Sequence, residues 1–357
     1  MMKELKEEHD IQKLSDKFKK TKSASASLNK IKNTARLKFC LHQDDNCSNK
    51  IIDAHSIQNN KILNHISDNG YVLMFDPDLD DDYEFKIPLR PKGRKVATTF
   101  NGFCGHHDNK IFEPIEDADY TPKNTEQEFL YAYRALSKEH YTKKTMTHLL
   151  ENALKDINKG FSPLDNSVIS NDHKFNLQMS FGKRILLEKN TIKKFELYQK
   201  RMNEWLQQST FENIITDVIE FDEEYHFAVS ATILIEKDII GNTINNLDNF
   251  RDFSPAPLFL TIFPQNGKTY ILMSYFERNK RRYKFIKDQI INKDSKLQQI
   301  IISNMVISYV ENLAISPITW KRTSAKLKRT VENSFVNTLE DHGESLIFDN
   351  TINLFIK

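Results

Sequence analysis

Cys40-Leu-His-Gln-Asp-Asp-Asn-Cys47, then Asp53-Ala-His55-Ser-Ile57, then Phe100-Asn101-Gly-Phe-Cys104-Gly-His-His107-Asp108 is the stretch from which the fold is read. All three cysteines of the chain lie in it, and a histidine stands three residues after the last. Three thiols and one imidazole make the donor set of a structural zinc site, four soft or borderline ligands in a tetrahedron. Cys-x-x-His places its two donors one turn apart at a helix start, so His107 is preferred over its neighbour His106, which stays the alternative fourth ligand. His42, inside the knuckle, is expected to be exposed.

Working outward, Leu37–Phe39 reads as a strand entering the first cysteine, and Ile51–Ile57 as a second strand. A helix follows over about 58–67, stopped by Asn69-Gly70. Tyr71–Phe75 is a strong β run, and Val96–Phe100 is β again. A helix is expected to open at Cys104. Knuckle, strand, insert, strand and ligand-bearing helix follow one another as in a treble clef. The acidic segment Asp76–Asp82 reads as a loop without the glycine and terminal glutamate of a calcium site.

On both sides the texture changes. Residues 1–36 are a basic, helical arm: up to Lys38 there are eleven basic and five acidic residues, a balance compatible with phosphate contacts. Residues 37–120 hold the zinc module. From 121 to 357 the pattern is α+β, with long helical runs over 126–154, with a break near His140, and over 181–208. A strand follows at 227–235, and a hairpin joins 258–263 to 269–274 through Asn266-Gly267. Residues 278–314 read as helix. The fold class expected is therefore α+β: a zinc-stapled treble clef at the N-terminal side, fused to a larger mixed domain with an antiparallel sheet and long helices.

Composition excludes several classes. Of 357 residues, 39% are apolar and 28% charged, a globular balance. Only 9 glycines and 10 prolines leave little room for long flexible linkers. No apolar run approaches the ~20 residues of a membrane span, and the first residues lack a signal-peptide core. With an odd cysteine count in a zinc-like spacing, a cytoplasmic protein without membrane contact is expected.

The constellation resembles the HNH, or ββα-metal, nuclease superfamily, and more closely bacterial proteins carrying Cys…Cys…Ala-His-Ser-Ile…Phe-Cys-x-x-His-Asp, over residues 37–116. That resemblance implies Cys40, Cys47, Cys104 and His107 as zinc ligands and His55 as the general base that activates water. It implies Asn101 as the residue orienting His55, and Asp108 as holder of a catalytic Mg²⁺ or Mn²⁺. Ala54 stands where the superfamily commonly has an acidic residue, and Asp108 where it often has histidine. The implied activity is metal-dependent hydrolysis of phosphodiester bonds in DNA or RNA; a role in antiviral defence would fit. The alternative is a non-catalytic zinc-stapled module that binds nucleic acid, or a protein partner through the C-terminal domain. His55 is then a buried structural histidine, or itself a zinc ligand.

Two further clusters stand out. Lys280, Arg281, Arg282 and Tyr283 form the densest basic run with an interleaved aromatic, suited to phosphate contact and base stacking or simply to a charged helix start. Glu223, Glu224 and His226 read as a solvated turn, and His65 as a polar-face residue.

Overall fold

In a computed structural model, the described residues are 26–27, 29–42, 44–48, 50–79, 85–164, 166–247, 254–337 and 346–357. Most of the basic arm, and Asp80–Asp82 of the acidic segment, lie outside them. The chain is mixed α+β, with an antiparallel sheet, long helices and a Cys/His cluster near its N-terminal side. Two compact units are present: residues 38–75, 89–142 and 194–357 make the larger one, and residues 76–88 and 143–193, with the described part of 1–37, make the smaller. Among the described residues, no helix is long and apolar enough to cross a membrane.

In the larger unit, β1 (Ile51–His55) pairs antiparallel with β6 (Thr99–Cys104), and α1 (Gly105–Glu116) follows at once. Between these two strands the chain adds a helical segment, Asn59–Leu63 in π geometry continuing as the turn Asn64–Ile66. It ends at Ser67, whose backbone is extended, and not at Asn69-Gly70; these two, with φ of 50° and 81°, form the tight turn between Asp68 and Tyr71 that leads into β2. The strand expected from Val96 instead starts at Thr99, because residues 94–98 form a turn in which Thr98 takes a φ of 59°. Leu37–Phe39 forms no regular strand, yet the knuckle still docks on β6: Phe39 N–H donates to Asn101 O and Leu41 N–H to Gly102 O.

A seven-stranded antiparallel sheet runs in the order β5-β2-β11-β8-β9-β10-β7. Its strands are β2 (Tyr71–Phe75), β5 (Leu89–Gly93), β7 (Ile214–Phe221), β8 (Phe227–Ile233), β9 (Leu258–Gln265), β10 (Lys268–Phe276) and β11 (Leu313–Ile315). β2 and β5, which lie between β1 and β6 in sequence, are thus built into the same sheet as the C-terminal strands. Asn266 and Gly267, with φ of 54° and 81°, are the two loop residues of the β9–β10 hairpin, the positive-φ pair that a tight right-twisted hairpin requires.

The central strands are buried on both faces, so they read as continuous apolar runs. Period two sorts their side chains. Leu258, Leu260, Ile262, Ile271 and Met273 join one core with Ile301, Ile302, Met305 and Val306 of helix Ser295–Tyr309. On the other face, Phe263 stacks on Tyr131 and meets Tyr120 edge-on, and Phe276 packs against Tyr198 and Trp205. Tyr131 belongs to helix Thr125–Lys159, which runs unbroken past His140, and Tyr198 to helix Asn171–Gln208.

The smaller unit includes the two-stranded pair β3 (Asp78–Leu79) and β4 (Phe85–Lys86). Glu188 there accepts from Arg184 at 2.7 Å and Lys143 at 3.4 Å, and Lys189 reaches Glu151 at 2.7 Å.

A bulge in β6 positions the site. Ile52 pairs with Phe103 and Ala54 with Phe100, so Asn101 and Gly102 together face Asp53. A Cβ on Gly102 would lie 2.6 Å from the Phe100 ring, whereas one on Gly93 would meet nothing within 4 Å. Gly102→Ala is therefore expected to cost about 1–3 kcal/mol, read as a lowered thermal midpoint, with Gly93→Ala near wild type.

Candidate metal centre

The bulge and the docked knuckle bring four donors to one point. Cys40, Cys47, Cys104 and His107 offer ligand atoms all within 4.8 Å of one another. Their sulfurs lie 3.3, 3.4 and 3.4 Å from His107 Nδ1. A tetrahedron with Zn–S of about 2.3 Å and Zn–N of about 2.0–2.1 Å separates sulfur from nitrogen by roughly 3.6 Å. The group therefore fits a zinc-sized ion with little adjustment. His107 fills the fourth place, while His106 is exposed on the first turn of α1.

The far side of the imidazole is occupied too. His107 Nε2 lies 3.0 Å from Asp44 Oδ1, and Asn46 N–H donates to the same oxygen at 2.8 Å. A carboxylate can only accept when ionised, so Nε2 carries the proton and Nδ1 is left as the donor to a metal. The Asn46 N–H, followed by His107, holds Asp44 below the usual carboxylate range. Burial pushes the Cys40 thiol up to about 12. Burial opposes Cys104 as well, but N–H and hydroxyl donors from His107 and Ser48 outweigh it and bring that thiol down. A metal would ionise all three thiols.

The knuckle is clamped from outside by two helices. Asn203 Nδ2 donates to Leu41 O at 3.0 Å, and Tyr133 O–H donates to Asn203 Oδ1 at 2.6 Å. His42, expected to be exposed, is 6% exposed, between Tyr133 at 3.4 Å and the His107 ring at 4.8 Å. Burial, then the neighbouring His107, lowers its pKa.

Beside the cluster lies a cleft of about 640 Å³. His55 and Asn59 line one wall; Asp108, Lys110 and Glu116 of α1 line the other. His55 stands apart from the Cys₃His group. Its Nε2 lies 3.2 Å from Arg94 O. A carbonyl only accepts, so Nε2 carries the proton and Nδ1 keeps its lone pair. Burial holds the pKa of His55 below its ordinary 6.5. Asp108 Oδ1 is buried without a hydrogen-bond partner. Burial raises that carboxyl, against the pull of Arg134. Arg134 is itself tied to Glu116 at 2.6 Å and sits over the Phe112 ring.

Asn101 does not touch the His55 ring. Its Nδ2 donates to Ile52 O at 3.0 Å and Asp53 Oδ1 at 2.9 Å, so it fixes β1 at the bulge, two residues before the histidine. The basic run needs a sharper correction. Tyr283 is fully buried, its hydroxyl bonded to Ala256 O and its ring stacked on Tyr275, so it belongs to the core and presents no face to a base. Lys280, Arg281 and Arg282 are exposed. Asp44, Tyr133, Asn203, Arg134 and Glu116 were not singled out by sequence; Asp44, midway between two cysteines, was the one with a signal. Comparison with protein-family models, curated proteins and solved structures found no match to this chain.

The Asp44 contact yields a direct test. Asp44→Asn is expected to weaken zinc binding about 10–100-fold in a chelator competition, and Asp45→Asn, on an exposed neighbour, to leave it unchanged.

Proposed function

We propose that this chain is a metal-dependent phosphodiesterase of the HNH-like kind, with His55 as general base. One observation carries the reading. A half-buried histidine whose Nδ1 lone pair is left free faces, in a single cleft, a carboxylate with an unpartnered buried oxygen, beside a zinc-type cluster in ββα order.

In this reading the Cys₃His group, holding zinc, fixes the relative placement of β1 and α1 and takes no part in bond making. Arg94 O holds the His55 ring so that Nδ1 accepts the proton of an attacking water. Burial keeps the imidazole neutral near pH 7, the form a base requires. Asp108 would hold a hard divalent cation, Mg²⁺ or Mn²⁺, through oxygen; one carboxylate with water and substrate phosphate is an ordinary set for such ions. The cation supplies charge stabilisation at the phosphate and the leaving oxygen. Lys110 and His106, on the same helix, bring donors to the cleft for a phosphate. Asn101 acts at one remove, through the strand that carries His55. DNA or RNA is the substrate class, and defence against foreign nucleic acid is a setting that suits it.

The test is hydrolysis of plasmid DNA and of RNA with Mg²⁺ or Mn²⁺, beside elemental analysis. His55→Ala should lose about 10²–10⁴-fold in rate with its zinc retained. Equal cleavage by the variant would remove His55 from the chemistry, and no cleavage by wild type with any cation would leave a zinc-stapled binding module as the reading. The pH profile gives a second check. Because burial lowers the His55 pKa, the base stays unprotonated to lower pH, and the acid limb should have its midpoint below 6.5.

A further inference from the structure

A second set of ligand-type side chains converges away from the Cys₃His group. His65 lies in the helical turn Asn64–Ile66, while Glu224 and His226 flank Tyr225 in the connection from β7 to β8. Phe227 N–H donates to Tyr225 O at 2.9 Å, closing a tight turn with His226 at its centre, next to Glu224. Tyr225 between them turns inward, buried against Phe221 and Phe355. His65 Nε2 is 2.9 Å from Glu224 Oε2, and His226 Nε2 is 3.8 Å from the same oxygen. The two imidazoles meet edge-on at 5.4 Å, and the three ligand atoms all lie within 4.8 Å of one another.

A simple histidine–glutamate hydrogen bond would account for His65 alone. It does not account for a second imidazole aimed at the same oxygen. Metal–ligand bonds of about 2.0–2.2 Å in a tetrahedron separate nitrogen from oxygen by roughly 3.3–3.5 Å, a value that the two observed distances bracket. The carboxylate is also fixed from behind. Glu224 Oε1 accepts the Gly267 N–H at 3.0 Å, in the tight β9–β10 turn, which leaves Oε2 for the histidines. The segment itself is anchored where Tyr225 N–H donates to Thr269 Oγ1 at 2.8 Å. Side-chain exposures of 45%, 21% and 43% for His65, Glu224 and His226 leave the three donors open to an ion from solution.

We propose that His65, Glu224 and His226 form a second metal site, taking a zinc-class divalent cation and leaving at least one coordination position to water. Two imidazoles and a carboxylate favour zinc, copper or nickel over magnesium or calcium. Three protein donors with an open place are the pattern of exchangeable or reactive zinc rather than of a closed structural site. Such an ion would also cross-link two segments 159 residues apart.

The test is a Co²⁺ titration of the full chain, with Zn²⁺ titration calorimetry beside it. Cobalt at the cysteine group gives sulfur-to-cobalt charge-transfer absorption, and cobalt at the second site gives only d–d bands, so the two fill distinguishably. Wild type should take up an equivalent of cobalt without charge-transfer absorption, and a matching zinc equivalent. His65→Ala and His226→Ala, exposed positions on separate elements, should each lose that equivalent with the charge-transfer bands and the thermal midpoint kept. Absence of the equivalent in wild type, or its undiminished retention in both variants, would overturn the proposal.

Discussion

The structure depends on the convergence of three sulfurs and one imidazole nitrogen at spacings that suit a single tetrahedral ion. The knuckle that carries two of them is short, acidic and polar, with little apolar surface of its own to bury. Its position follows from the cluster, from the two backbone bonds to β6 and from the Tyr133–Asn203 clamp. Metal binding at such a cluster contributes folding free energy where hydrophobic burial is small. Asp44 closes the arrangement by setting the tautomer of His107, so one loop supplies two of the three thiols and the carboxylate behind the imidazole.

From that anchor the cleft follows. β1 and α1 leave the cluster in fixed directions, and the bulge at Asn101-Gly102 sets the register with which β1 delivers His55. At the far end of α1, Gln58 Nε2 donates to Glu116 O and Lys61 Nζ donates to Asp117 O at 2.9 Å, tying the helix to the segment after β1. The wall is electrostatically uneven. Arg134 is neutralised by Glu116, whereas Asp108 keeps a buried oxygen unpaired. Leaving a buried carboxylate oxygen unpaired is costly in a protein that has no use for it. Asn312 links this region to the sheet by donating to Ser56 Oγ and Ser230 O, each at 2.8 Å.

What was legible in the sequence was local. Cys-x-x-His, Asn69-Gly70 and Asn266-Gly267 act through spacing or through a backbone conformation that few residues adopt, so the metal cluster and the two tight turns are readable, although the helix before Asn69 already ends at Ser67. Features that rest on distant partners were not. His42 looked like loop surface until Tyr133, 91 residues on, covered it. Tyr283 sat in a basic run yet packs under Tyr275. Val96-Ala-Thr reads as strand by propensity, but Thr98 adopts a positive φ and delays β6. That β2 and β5 join the C-terminal strands in one sheet, and that His65 meets Glu224 and His226, are facts of long-range pairing that no local pattern carries.

Cys40, Cys47, Cys104 and His107 form a group of the size that one zinc ion would occupy. Zinc-edge X-ray absorption of the full-length protein, loaded with one equivalent of zinc, reads the ligand set directly. Three sulfurs at about 2.3 Å and one nitrogen at about 2.0–2.1 Å are the expected ligands. A shell of nitrogen and oxygen alone, or one with fewer than three sulfurs, would contradict that expectation.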